Sequence, residues 1–275
     1  MRRRRIATLL TWTAIALALL ISLFPIWWMI STSLKRPVDI YSGVSVLPPQ
    51  ATLRNYVELF RERHFGDFLR NSLVVVTFSV AISLVAGTLA AYAISRYAGR
   101  RMRNLWLAAA LVVRMVPPIL LAIPLYIVLA RYRLLDTPLG LILIYASLNT
   151  SLVVWMMESY LAEIPTEIEE AALVDGDTPM TALWRIVLPL AAPGLIATAI
   201  FAVILTYNEF LLALSFTSTT ASQTVTVGVS TLIGKIQIEW GPMAAAGVIG
   251  AVPIIVFTLL VQRHFVRGLT LGAVR

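Results

Sequence analysis

The sequence predicts an all-α polytopic membrane protein, with six transmembrane helices and a helical elbow in the cytoplasm between spans four and five. Hydrophobic residues make up 59% of the 275 residues and charged residues only 13%, with a mean hydropathy of +0.85. Such a composition is too apolar for a soluble domain of this length. The apolar residues also fall into runs of about 20, the number that crosses a bilayer core as a helix. Composition and run length predict the fold class, and a long polar interval, residues 158–189, predicts the elbow.

Six apolar stretches are long enough to be membrane-spanning helices. They cover about residues 6–31, 71–95, 105–130, 139–157, 190–214 and 244–262. The first follows Arg2 to Arg5 and has an alternative reading as a cleaved signal peptide. It continues beyond Trp28, past the roughly 7 to 15 apolar residues of a signal peptide, so a retained span is favoured. We expect a single membrane domain over residues 1–275, with 71–262 as its five-span core.

The distribution of basic residues predicts a multi-pass protein of the cell membrane with both termini in the cytoplasm. Lys and Arg resist crossing the membrane during insertion, so short loops rich in them stay inside. Arg2 to Arg5, the loop from Arg96 to Arg103, Arg185 and the C-terminal Arg residues all meet on that side. The formal charge of +8 is thus explained by topology rather than by nucleic-acid binding. Intervals 32–70 and 216–243 are then extracytoplasmic.

The two outer intervals differ in pattern. Interval 32–70 begins with proline and glycine and continues with apolar residues at helical spacing from Leu53 to Phe60. This predicts an extended stretch followed by an amphipathic helix at the membrane surface, which either packs against the protein or docks a partner. Interval 216–243 is rich in Ser and Thr and then alternates from Thr224 to Val227, and composition assigns it no function.

Prolines within the spans predict interrupted helices. Pro117, Pro118 and Pro124 are expected to break the third span and Pro253 to interrupt the sixth, whereas Pro193 is expected in the first turn of the fifth. Non-helical backbone inside a membrane persists only where protein or water satisfies its polar groups. The breaks therefore mark either the lining of a transport pathway or kinked packing, and the sequence leaves both readings open.

The polar interval 158–189 has the start and stop signals of two short helices. Pro165 suits the first helical position, and acidic residues follow it in the early turns. Gly176 suits the C-terminal stop, and Thr178-Pro179 suits the start of a second helix over about 179–188. Two short helices meeting at a glycine form an elbow that either docks into a partner groove or is a solvated amphipathic hairpin.

The elbow also carries a signature. Glu170-Ala171-Ala172, Gly176 and then Ile186-x-Leu188-Pro189 resemble the signature loop of ABC importer permeases, with the frequent Asp175 also present. Resemblance extends along nearly the whole chain to the maltose-type carbohydrate permeases, specifically to the six-span partner of their permease pair. The further segments that carry it are Asn55-Tyr56, Asn71-Ser72, Ala91-Tyr92-Ala93, Pro117-Pro118, Pro124-Leu125-Tyr126, Asn208-Glu209-Phe210 and the tail from Arg267 to Val274. The chain departs from the family at Tyr207, where Trp is common.

The resemblance implies a permease subunit of an ATP-driven ABC importer, which moves a sugar, such as trehalose or a maltose-like glucoside, by alternating access. An ABC permease for a glycerol-phosphate ester and an ion-coupled secondary transporter are the alternatives. The implied partners are a second permease in a heterodimer, two ATP-binding subunits, an extracytoplasmic sugar-binding protein, the sugar and membrane lipid, and no nucleic acid. Interval 216–243 resembles the outer loop that reaches toward the binding protein. The chain has no phosphate-binding loop, so we expect a subunit that is not an enzyme and binds no cofactor or metal, with ATP and Mg on partner subunits.

The same resemblance assigns roles to single residues. Those that couple to the ATPase are Glu170, Ala171, Ala172, Asp175 and Gly176, and a second contact is formed by the tail residues Gly268, Thr270 and Gly272. Polar or aromatic residues at membrane depth are the candidates for the sugar pathway. They are Arg114, Tyr126, Asn149, Tyr207, Asn208 and Glu209, with Trp155 as a further stacking face. Structural bonding between helices is the alternative role of each polar member.

Overall fold

The structure is a computed structural model that describes the backbone of residues 2–234 and 238–272 and the side chains of residues 8, 10–234 and 238–261. Within these residues the secondary structure is helical, with one isolated bridge between Ile233 and Ile238 and no strand. The helices are α1 (Arg2–Ser33), α2 (Pro37–Tyr41), α3 (Arg54–Arg61), α4 (Phe65–Tyr97), α5 (Arg100–Met115), α6 (Pro118–Arg131), α7 (Pro138–Ala162), α8 (Thr166–Val174), α9 (Pro179–Ala182), α10 (Leu188–Tyr207), α11 (Leu211–Phe216), α12 (Val225–Ser230) and α13 (Trp240–Gly272).

Five continuous helical segments are long and apolar enough to cross a membrane. They are Leu10–Ser33, Phe65–Tyr97, Pro138–Ala162, Pro179–Tyr207 and Trp240–Val261. Helices α5 and α6 meet the same criterion as a pair and are bent by 94° at their junction, so the described chain has six spans when the pair counts as one. The predicted all-α, six-span fold class is confirmed.

The prolines do not all act as predicted. The break at Pro117 and Pro118 is confirmed, because α5 ends and α6 begins there. The prediction is wrong for Pro124 and Pro253, which lie inside α6 and α13 without interrupting either helix. It is also wrong for Pro193, which lies inside α10 rather than in the first turn of the span. An isolated proline removes one backbone hydrogen bond. An apolar helix tolerates that loss when the residues on either side of the proline keep helical geometry.

The described chain divides into two compact units. One comprises the residues up to Gly66 together with 229–253, and the other comprises 67–228 and the residues from Ile254 onward. In the second unit, helix α7 packs against α5 and α10. The apolar clusters around α7 contain its buried residues Leu141, Tyr145 and Val153. Helix α7 is therefore the central helix of this unit.

Two glycines allow close helix packing in the second unit. A Cβ atom at Gly87 on α4 would lie 2.6 Å from Val153 Cβ on α7. A Cβ atom at Gly194 on α10 would lie 2.2 Å from the ring of Tyr160, also on α7. Small residues of this kind let membrane helices approach closely where no hydrophobic driving force brings them together.

The first unit contains the predicted amphipathic helix, which is α3. Asn55 and Leu59 are buried on one face of α3, and Phe60 is exposed. The Asn55 amide donates hydrogen bonds to the carbonyls of Ser33 at 2.8 Å and Lys35 at 2.9 Å, which ties α3 to the end of α1. The stretch before α3 is not wholly extended, because it contains the short helix α2.

Asp136 fastens the segment 217–224, which follows α11 in the second unit. Asp136 has a φ of +57°, and one of its carboxylate oxygens accepts hydrogen bonds from the backbone N–H groups of Ser218 at 2.8 Å and Thr219 at 2.9 Å and from the hydroxyl of Ser222. Desolvation raises the pKa of Asp136, but the hydrogen bonds outweigh it and lower the pKa to about 2. The carboxylate is therefore ionised and fixes the loop at neutral pH.

Candidate functional site

The turn of the elbow is closed by Gly176. Helix α8 ends at Val174, and the N–H of Gly176 donates to Leu173 O at 3.2 Å while the N–H of Asp177 donates to Ala172 O at 3.0 Å. This pair of bonds is the Schellman arrangement, and it requires the positive φ of +97° that Gly176 has. The predicted C-terminal stop is confirmed.

The two helices of the elbow differ in detail from the prediction. Pro165 precedes α8 as its N-cap residue instead of occupying the first helical position. Thr178 is the N-cap of α9 as predicted, and its hydroxyl accepts a hydrogen bond from Thr181 N at 3.2 Å. The second helix does not end near residue 188, because α9 continues through a π-helical turn, Leu183–Val187, into α10. The second helix of the elbow is thus the first part of the fifth span itself.

The signature residues stand on both sides of α8. Glu170, Ala171, Asp175 and Gly176 are exposed, whereas Ala172 is buried. Apolar side chains extend the exposed face, with Val174 87% exposed and Met180 52% exposed. A face that combines carboxylates with exposed apolar side chains is suited to a protein partner.

Glu169, next to the signature, was predicted only as one of the acidic residues in the early turns of the first elbow helix, and its contacts with α4 were not. Its carboxylate accepts a hydrogen bond from the hydroxyl of Tyr92 and another from Nε of Arg96 at 2.8 Å, both on α4. Burial raises the pKa of Glu169. Arg96 also donates to Ile164 O at 3.2 Å, and Tyr92 to Pro179 O at 3.3 Å. These contacts, called the Glu169 clasp below, join α4 to both helices of the elbow.

A second buried carboxylate lies on the same side of the second unit. Glu158 on α7 is 2.5 Å from Nε of Arg103 on α5. The side chain of Glu158 is buried and that of Arg103 is partly exposed. This pair joins two spans without touching the elbow.

A cavity of about 240 Å³ lies beside the break between α5 and α6. Three of the predicted pathway residues line it, namely Arg114, Asn149 and Glu209. The sequence analysis missed two further polar residues of its lining, Tyr145 and Thr206. Helical spacing could have identified them, because Tyr145 precedes Asn149 by one turn and Thr206 lies three residues before Glu209.

The polar groups of the cavity are linked to one another. The hydroxyl of Tyr145 donates to Glu209 at 2.5 Å, and the amide of Asn149 donates to the hydroxyl of Thr206 at 2.6 Å. The Glu209 carboxylate also accepts from the N–H groups of Leu212 at 2.9 Å and Ala213 at 3.1 Å. Within the described residues no hydrogen bond or ion pair holds the Arg114 guanidinium, so it is the cationic group free to meet a ligand.

The other predicted pathway residues lie elsewhere. Tyr207 is buried among apolar residues, including Ala202. Asn208 is exposed and donates to Ile204 O at 2.8 Å, which caps the end of α10. Tyr126 and Trp155 are 49% and 42% exposed and do not line the cavity. The predicted tail contacts Gly268, Thr270 and Gly272 belong to the last turns of α13, and residues 273–275 lie outside the described residues.

No group of three or more His, Asp or Glu residues that could hold a metal ion occurs in the part of the chain that the structure describes.

Comparisons with known proteins identify the family of this chain. Residues 66–271 match the family described as "Binding-protein-dependent transport system inner membrane component". The trehalose transport system permease protein SugB of Mycobacterium tuberculosis is 39% identical, over 92% of this chain and 93% of its own. The sulfoquinovosyl glycerol transport system permease protein SmoH of Agrobacterium fabrum is 34% identical, over 97% of this chain and 93% of its own.

A solved structure shares the fold. The crystal structure of a bacterial ABC transporter involved in the import of the acidic polysaccharide alginate contains a chain with a TM-score of 0.79 and 22% identity, and the match covers 96% of this chain and 98% of that chain. The family match spans all the residues that form the elbow, the clasp and the cavity. The chain belongs to the family of binding-protein-dependent transport system inner membrane components.

Proposed function

We propose that this chain is the permease subunit of an ATP-driven importer that moves a sugar, a disaccharide such as trehalose or a maltose-like glucoside, into the cytoplasm by alternating access. The observation that carries the proposal is the elbow, whose exposed signature residues flank a turn closed by Gly176 in a chain of this transport family. Sugar as the substrate class is supported by the relatives, since one is named for trehalose and another for sulfoquinovosyl glycerol.

The intramembrane cavity is the proposed segment of the sugar pathway. A sugar needs hydrogen-bond donors and acceptors on several sides, and polar side chains are expensive at membrane depth unless they face a cavity or a partner. Arg114, Asn149 and Glu209 supply a cation, an amide and a carboxylate around one space. The helix break beside them supports this role, because broken backbone inside a membrane belongs next to a cavity or to protein.

The elbow is the proposed contact with the ATP-hydrolysing subunits. Glu170 supplies charge to the partner groove, Ala171 permits close approach, and Gly176 fixes the angle between the helices. Closure of two ATP-binding subunits would move this elbow together with that of the second permease and switch the spans from inward-open to outward-open. ATP and Mg belong to those subunits, the sugar arrives on an extracytoplasmic binding protein, and both termini of this chain lie in the cytoplasm.

An anionic glycoside is the second candidate substrate, and the Arg114 guanidinium favours it. Arg114 lines the cavity without a partner in the described chain, whereas Glu209 is already held by a hydroxyl and two backbone N–H groups. A carboxylate, sulfonate or phosphate ester on the sugar would pair with that guanidinium. Ion-coupled secondary transport is disfavoured, because such a transporter has no use for an elbow that docks an ATPase.

The test is the ATPase activity of the purified complex in lipid vesicles, with and without the binding protein and a panel of neutral and acidic sugars. Stimulation by one loaded binding protein, together with uptake of that sugar, supports the proposal and identifies the substrate. Flux of sugar that persists without any ATPase subunit contradicts it. Glu170→Arg places a cation where the signature has a carboxylate, and we expect this variant to keep assembled subunits while losing stimulated ATPase activity and uptake.

A further inference from the structure

We propose that helix α4 transmits movement between the elbow and the outer loop 217–224, because side chains near its two ends hold both. This inference rests on the proposed function. It assigns a positioning role to residues outside the signature, namely the Glu169 clasp at one end of α4 and Asn71 with Ser72 at the other.

The clasp is the only link that the described contacts provide between α4 and the elbow through charged side chains. The elbow is continuous in the chain with α7 and α10, so its movement reaches those helices directly. Helix α4 is attached by Tyr92 and Arg96, which bind Glu169 on α8 and also reach the carbonyls of Ile164 and Pro179. One helix end thus holds the start, the middle and the far side of the elbow.

Because the ion pair of the clasp is buried, it favours one specific geometry and does more than attract the two helices to each other. The side chains of Arg96 and Glu169 are each 8% exposed. A buried ion pair adds little net stability, because desolvation offsets its attraction, whereas removing one partner is costly. Such a pair therefore keeps α4 and α8 in one relative position and resists their separation when the elbow moves.

The opposite end of α4 holds the outer loop. The Asn71 amide donates to Thr220 O and Gln223 O, at 3.0 Å each. The Ser72 hydroxyl accepts a hydrogen bond from Val225 N at 2.8 Å. These three bonds go to backbone groups of the loop and of Val225 directly after it, so they position the loop whatever side chains it carries.

Between its two attachments α4 is an unbroken helix. It runs from Phe65 to Tyr97 without a proline, and Asn71 and Arg96 are separated by about 38 Å at ~1.5 Å per residue. Gly87 lies between them, where a Cβ atom would be 2.6 Å from Val153 Cβ on α7. Tilting about this close contact is the simplest motion that would displace one end of α4 when the other is moved.

The experiment measures how many-fold the sugar-loaded binding protein stimulates the ATPase of the complete complex in lipid vesicles. We expect Glu169→Gln to leave assembly and unstimulated ATPase activity intact and to lower the stimulation at least about fivefold, the lower end of typical coupling between sites. Asn71→Ala should lower it similarly. The double variant should lose no more stimulation than the more impaired of the two single variants, because both changes break the same connection.

Glu158→Gln is the matched control. It breaks a buried pair between Glu158 and Arg103, which joins α7 to α5 with no described hydrogen bond or ion pair to the elbow helices α8 and α9, and it should leave the stimulation unchanged. If Glu169→Gln fails to assemble, Tyr92→Phe takes its place, since it removes only a hydroxyl from the clasp and should lower the stimulation about twofold or more.

Three results would overturn the inference: full stimulation in Glu169→Gln or, in its place, Tyr92→Phe; an equal loss in the Glu158→Gln control; or additive losses in the double variant. The wild-type complex separates this failure from failure of the proposed function. If no loaded binding protein stimulates the wild type, the proposed function is wrong; if the wild type is stimulated and the clasp variants match it, only the role of α4 is wrong.

Discussion

Replacing Gly176 by alanine isolates the geometry of the elbow from its surface chemistry. A Cβ atom at Gly176 would meet no other atom within 4 Å, so the substitution causes no clash. The residue has a φ of +97°, a conformation that residues with a Cβ rarely adopt. The cost of Gly176→Ala is therefore a backbone cost alone.

That cost is about 1 to 2 kcal/mol, the usual penalty for a residue with a Cβ at positive φ. It changes the population of the observed turn by roughly 5- to 30-fold relative to other turns. We expect stimulated ATPase activity and uptake to fall in the order Gly176, Asn, Ala and Pro, because asparagine tolerates positive φ best and proline fixes φ near −65°.

Gly99→Ala provides the matched control. Gly99 also has nothing within 4 Å of a Cβ atom, but its φ of −61° is available to any residue. The assay is ATP hydrolysed per sugar transported, measured in vesicles with equal amounts of assembled complex. Equal coupling in Gly176→Ala and Gly99→Ala would refute the reasoning, since the turn conformation would then have no influence on how the elbow acts.

Three further changes test other parts of the structure. Asp136→Asn should speed hydrogen exchange of the loop amides bound to Asp136 about fivefold at neutral pH. The reason is that the shift of the Asp136 pKa from 3.8 to about 2, in a partly exposed group, contributes about 1 kcal/mol after solvent screening. Because that pKa is lowered, the contribution is complete above about pH 4 and is lost as pH falls toward 2; a difference from wild type that persists at pH 2 contradicts this origin. Tyr145→Phe removes the 2.5 Å hydrogen bond to Glu209 and should lower the free energy of unfolding by about 1 kcal/mol, which is a fall of roughly 2 to 4 °C in melting temperature. An unchanged melting temperature would show that the bond adds no stability. Gly194→Ala should destabilise by about 1 to 3 kcal/mol through its clash with Tyr160, and Tyr160→Leu in the same chain should relieve it; no relief would locate the strain elsewhere.

The part of the fold that could be predicted from the sequence depends on signals between residues that are close along the chain. Run length located the spans, and the cap residues of the elbow were predicted because Thr178 and Gly176 act within one turn of their own backbone. The start of the fifth span was misplaced because no stop signal separates the amphipathic residues 179–187 from the apolar ones that follow. Pro193 was mistaken for the start of this span. A proline is compatible both with the first turn of a helix and with the inside of a helix that tolerates the loss of one hydrogen bond.

The candidate site was predicted less completely because its contacts are distant in sequence. Arg114, Asn149 and Glu209 could be named from their polarity at membrane depth, and they converge on one cavity. Tyr207 was predicted as a stacking face at similar depth and is buried in an apolar cluster, because depth does not specify which way a side chain points. The Glu169 clasp joins positions 73 and 77 residues apart, and no spacing rule connects residues at that separation.

The two chain breaks beside the cavity are stabilised by residues of this chain itself. At the first break, Pro117 and Pro118 have no N–H groups, so two backbone donors that would otherwise need partners are absent. At the second, between α10 and α11, Glu209 accepts the N–H groups of Leu212 and Ala213. Non-helical backbone inside a membrane is costly when its polar groups are unpaired, so the absent donors at the first break and the paired donors at the second lower the cost of each break. The cavity between the breaks is therefore lined by this chain's own residues, as the proposed sugar pathway requires.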